Sequence, residues 1–143
     1  MGPVGIDKVL QSLQPYAYGW RTELPKEARF FGHPIELRLD TRAVPARKRA
    51  PRPSEAEIEL IRLILSGLRG VLREAVCQYA LYNVDVPELF GKIHKPRMWI
   101  SREWLGDTPP GEWALISGIS DAPDWGIHIV FHSLEFYRIW SAD

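Results

Sequence analysis

The sequence predicts an α+β domain: one long amphipathic helix packed on a mainly antiparallel sheet, with a short helix at the N-terminus. Three observations lead there. Apolar residues recur at helical steps of three and four from Ile58 to Tyr79. Residues 34–40 alternate apolar and polar side chains, as a half-buried strand does. The last third holds four short β-rich runs separated by turn residues, and short connections favour an antiparallel meander.

Each element has its own signal. Ile6, Val9, Leu10 and Leu13 mark one face of a helix over 6–14, stopped by Pro15. A strand is expected over 17–24, with Trp20, Thr22 and Leu24 on one side. In the strand 34–40, Ile35, Leu37 and Leu39 face one way and Glu36 and Arg38 the other. Residues 42–53 contain Pro45, Pro51 and Pro53, which prevent regular structure, so the stretch reads as an extended surface loop.

Ser54-Glu55-Ala56-Glu57 is a capping box and opens the long helix. The stripe Ile58, Ile61, Leu65, Leu68, Leu72, Ala75, Tyr79 follows, widened by Leu60, Ile64 and Val71. Unbroken from 54 to 82, this helix would be about 43 Å long. A domain of this size is only about 37 Å across. Gly67 and Gly70 are the places for a bend. The terminal strands are expected at 98–104, 113–119, 126–132 and 135–141.

The chain has 143 residues, enough for one hydrophobic core and one domain over 1–143. No apolar run is long enough to span a membrane, and the first residues lack a signal-peptide pattern. A cytoplasmic location is expected. The single cysteine excludes an intrachain disulfide and a cysteine-cluster zinc site. Cys77 is expected to be a buried small hydrophobe beside the helix stripe.

Charge totals balance, with 18 basic and 18 acidic residues, but their distribution does not. Residues 42–53 carry Arg42, Arg47, Lys48, Arg49 and Arg52 and no acid, while residues 103–143 carry seven acids and one base. The basic loop, through Arg47, Lys48, Arg49 and Arg52, is a weaker candidate for nucleic acid. No aromatic residue is interleaved for stacking, and the overall pI is 6.9.

His128 and His132 have metal-ligand spacing only on a helix. On a strand they share a face about 13 Å apart, too far for one ion. Asp121 and Asp124 fail as a calcium loop, because Pro123 and Trp125 fall at ligand positions and His132 replaces the closing glutamate. No metal or cofactor is expected. There is no P-loop, dinucleotide fingerprint, nucleophile elbow or C-x-x-C. Five of the six tryptophans lie in the last third, and Trp104 and Trp125 are the candidates for exposure.

The residues Phe31-Gly32-His33-Pro34-Ile35-Glu36-Leu37, the helix from Ser54, and Gly126-Ile127-His128-Ile129-Val130-Phe131 with Glu135 form an ordered series. The series resembles small uncharacterised bacterial domain-of-unknown-function proteins, in which a strand pair precedes a long helix and a sheet ending in G-x-x-x-x-F-x-x-x-E. Some of these are similar to immunity proteins, cytosolic proteins that neutralise a cognate toxin. That resemblance implies a protein-binding role.

The leading expectation is therefore a non-enzymatic protein–protein interaction module. Its surface would combine Trp125, Asp121, Asp124, Trp104 and Glu135, an acidic edge with aromatic anchors suited to a basic partner. The alternative is a small-ligand-binding or enzymatic domain with a pocket near His128, His132 and Tyr137. The strand 135–141 could also pair with a second copy as a homodimer.

Overall fold

A computed structural model describes residues 5–16, 19–41, 52–85, 94–101, 111–118 and 126–142. It combines helices with a mostly antiparallel sheet, the expected α+β class. The N-terminal helix α1 (Ile6–Gln11) stops earlier than expected, with Ser12 as its C-cap. Pro15 lies beyond that end, in a strand. Gln14–Tyr16 form β1, an outer strand where a missing N–H is tolerated. Strand β2 (Gly19–Glu23) pairs antiparallel with β1. Just ahead of the strand expected over 34–40, residues 29–34 hold a small separate hairpin, β3 (Arg29–Phe30) and β4 (His33–Pro34).

Strand β5 (Glu36–Asp40) follows, then the helical segment. The capping box forms on both sides: Ser54 Oγ accepts from Glu57 N, and Glu57 Oε1 accepts from Ser54 N at 2.7 Å. The single helix expected from the periodicity is two. Helix α2 (Glu55–Ser66) ends at Gly67, and α3 (Leu68–Asp85) begins immediately after it. Gly70 lies within α3, which continues through it to Asp85.

The helices return the chain to the end of the sheet from which β5 started. Strand β6 (His94–Ser101) therefore pairs parallel to β5, which the sequence pattern did not reveal. Strands β7 (Glu112–Gly118), β8 (Gly126–His132) and β9 (Glu135–Ala142) then form the expected antiparallel meander. The main sheet has the order β1-β2-β5-β6-β7-β8-β9.

The core lies between one sheet face and the helices. Leu37, Leu39, Met98, Ile100, Trp113, Leu115, Ile127, Ile129 and Phe131 meet Leu60, Ile61, Ile64, Leu65, Leu68, Val71, Ala75 and Tyr79. Trp113 stacks on Phe131 with centroids 4.8 Å apart, and its indole N–H donates to Ser133 O at 2.7 Å. Ala75 and Tyr79 hold the stripe on the sheet side, which turns Cys77 outward. The cysteine is exposed, not buried as expected.

The two-residue turn Ser133-Leu134 joins β8 to β9 and reaches the helix break. A Cβ on Gly67 would stand 2.8 Å from Leu134 Cδ1. Glycine at this break leaves room for the hairpin tip. At the start of β8, Gly126 has φ +140, and a Cβ there would lie 2.2 Å from Ser117 O. Close strand approach at that point requires glycine.

Candidate functional site

The sheet face turned away from the helices carries the polar side chains. Strand alternation puts His128, Val130 and His132 there, opposite Ile127, Ile129 and Phe131. His128 and His132 thus share one face of a strand, as expected from their spacing. Ala114, Ile116 and Val130 form a small second apolar cluster on this outer face, with Trp99 against it.

Around that cluster, β8 and β9 build a stacked ladder. His128 pairs across the strands with Trp140, and their rings stack 4.2 Å apart at 19°. His132 stacks on Tyr137 at 4.0 Å and 24°. A bulge between Val130 and Phe131 makes the second stack possible. It inserts one residue in β9 and brings Tyr137 back to the outer face beside Arg138. The Arg138 guanidinium then lies 5.8 Å from the Tyr137 centroid and 5.9 Å from the Trp140 centroid, within cation–π range. Glu112 of β7 closes the ladder, with Oε1 3.0 Å from His132 Nε2.

The imidazoles lie beneath and the aromatic rings above. His128 is only 2% exposed, whereas Tyr137 is 54% and Trp140 36% exposed. The structure thus brings His128, His132 and Tyr137 into one constellation, and adds Arg138 and Trp140, which sequence reasoning did not single out. The spacing of Tyr137 and Trp140 gave no signal, because the bulge changes the alternation. Glu135 is exposed at the start of β9, directly across from His132. Asp121, Asp124, Trp125 and Trp104 lie outside the described residues, as do Arg47, Lys48 and Arg49. Arg52 is described, and its guanidinium lies 5.9 Å from the Trp20 ring centroid.

A second polar site occupies the opposite half of the sheet. A cleft of about 430 Å³ is lined by Glu23, His33, Glu36, Arg38, Lys95 and Arg97, with Pro34 and Pro96. The register sets its charges in rows. Glu23, Glu36 and Arg97 lie side by side across β2, β5 and β6. Arg21, Arg38 and Trp99 form the next row. Arg38 Nε donates to Glu36 Oε1. The Tyr16 ring has the Arg21 and Arg38 guanidiniums each 5.8 Å from its centroid. Arg97 Nη1 donates to Lys95 O at 3.2 Å, and Arg97 is only 3% exposed.

The chain matches no protein-family model, no curated protein and no solved structure.

Proposed function

We propose that this protein is a cytosolic, non-enzymatic interaction module whose binding surface is the outer face of β8 and β9. One observation carries the reading: Tyr137, Arg138 and Trp140 stand together, exposed, on a strand at the edge of the main sheet. Tyrosine, tryptophan and arginine are the residue types that dominate binding energy at protein interfaces. Stacking on His132 and His128 holds both rings in place before any partner arrives, which reduces the ordering cost of association.

The acid excess of residues 103–143, which includes the exposed Glu135, favours a partner with a basic surface. Such a pairing speeds encounter and weakens with salt. The order of elements that resembles immunity-type proteins supports a narrower version, a module that captures a cognate toxin.

The test is affinity capture of the tagged full-length chain from its native lysate at moderate salt, beside the variant Tyr137→Ser/Arg138→Glu. Both substituted side chains are exposed, so the variant keeps the fold, which circular dichroism checks. One stoichiometric partner held by the parent chain and lost by the variant supports the reading. A partner retained equally by both chains, or no partner at all, rejects it.

A further inference from the structure

The cleft on the β2–β5–β6 half of the sheet has a feature that packing does not explain. Lys95, Pro96 and Arg97 are consecutive residues of one strand, yet all three line the same cavity. Regular β alternation forbids this, since neighbouring side chains point to opposite faces. A bulge breaks the alternation. His94 pairs with Gly118 and Arg97 with Ile116, so two β6 residues oppose one residue of β7. Lys95 takes the strain, with φ +43 in the left-handed region that lysine rarely adopts. Glycine or asparagine would fit that backbone with less strain. The bulge thus brings the exposed Lys95 into the same cleft as the buried Arg97.

The surroundings indicate which charge would be received. Arg38, Lys95 and Arg97 line the cleft as three basic residues, against the two acidic residues Glu23 and Glu36. Glu36 bonds Arg38 on its own strand and stands across the register from Arg97. Arg21 lies directly across from Arg38, which adds positive charge beside the cleft. Guanidinium forks match the oxygens of a phosphate, and Lys95 adds a point charge. Glu23, Glu36 and His33 line the same cleft and could bond hydroxyl or amino groups further along a ligand. The volume suits a small molecule of a few rings at most.

We propose that this cleft is a binding site for a small phosphorylated molecule. Its phosphate would be held by Lys95 and Arg38 over the buried Arg97. The site is separate from the ladder on β8 and β9 and does not depend on the role assigned to it.

Titration calorimetry on the full chain at low salt tests the proposal, with inorganic phosphate, ribose 5-phosphate and ribose as probes. Saturable binding of inorganic phosphate is expected, with tighter binding of ribose 5-phosphate and none of ribose. Lys95→Gly separates function from folding. It removes the charge and relieves the backbone, so phosphate affinity falls about tenfold, the scale of one lost charge-assisted hydrogen bond. The same variant unfolds about 2 °C higher or more. Arg38→Gln, compared with Arg73→Gln on the exposed helix surface, is expected to weaken phosphate binding while the helix variant does not. No saturable binding of phosphate, equal affinity in Lys95→Gly, or equal binding of ribose and ribose 5-phosphate overturns the proposal.

Discussion

The indole of Trp140 covers the imidazole of His128, with ring centroids 4.2 Å apart and planes 19° from parallel. The contact lies on the sheet face opposite the described helices, where His128 is only 2% exposed, and it orients the exposed Trp140. Trp140→Ala is expected to destabilise the protein by about 1–2 kcal/mol, from lost stacking and newly hydrated His128. Trp140→Phe retains most of that contact and costs less. Urea unfolding of the three chains measures the order.

Gly67 and Leu134 set up a conflict between local propensity and tertiary fit. In an isolated helix, alanine is better than glycine by about 1 kcal/mol. Here the added methyl would stand 2.8 Å from Leu134 Cδ1. Gly67→Ala is expected to destabilise by roughly 1 kcal/mol, the lower range for overpacking, because a flexible side-chain end can yield. In a Leu134→Ala background the same change becomes neutral or stabilising. A double-mutant cycle in denaturant reads the change of sign.

The start of α2 depends on a reciprocal pair. Ser54→Ala removes the acceptor for Glu57 N, and a loss of about 1 kcal/mol is expected. Glu57→Ala removes the acceptor for Ser54 N and empties a site where the glutamate is fully buried. It is expected to cost more than Ser54→Ala, because packing is lost as well. Glu57→Gln keeps an acceptor and falls between the parent and Glu57→Ala. Thermal unfolding at pH 7 gives the ranking.

Tyr79 links stability to alkaline pH. Burial raises its phenol above the ordinary 10.0, with the Ser117 hydroxyl opposing the shift. The folded chain therefore keeps its proton where the unfolded chain loses it. Its contribution is complete below pH 10 and is lost as pH rises from there through the folded value. Tyr79→Phe is expected to show a shallower loss of melting temperature than the parent between pH 9.5 and 11. Parallel slopes for the two chains would contradict this.

Much of the architecture was written locally. The capping box at Ser54, the stripe from Ile61 to Tyr79, the alternation of Ile35, Leu37 and Leu39, and the strand boundaries of Gly126–His132 are each decided within a few residues. Helical and strand periods differ enough that such patterns name their element and its buried face. The same alternation placed Glu36 and Arg38 away from the core, and His128 and His132 on one face.

The sites depended on relationships that no local window contains. Glu36 meets Arg97 only because a helical crossover returns the chain parallel to β5. Lys95 joins the cleft, and Tyr137 joins the ladder, only through bulges that shift alternation by one residue. A pattern of period two is silent about such a shift, since one inserted residue reverses the face of its neighbours. The helix break at Gly67 was legible as a possibility from the mismatch of helix length and domain diameter. That Gly67 and not Gly70 has a neighbour crowding an added Cβ is due to Leu134, a turn residue 67 positions away whose side chain occupies the space beside it. Periodicity thus decides which residues are buried, because burial follows the repeat of the backbone. Which buried and exposed groups meet is decided by strand register and packing, set by contacts distant in the chain.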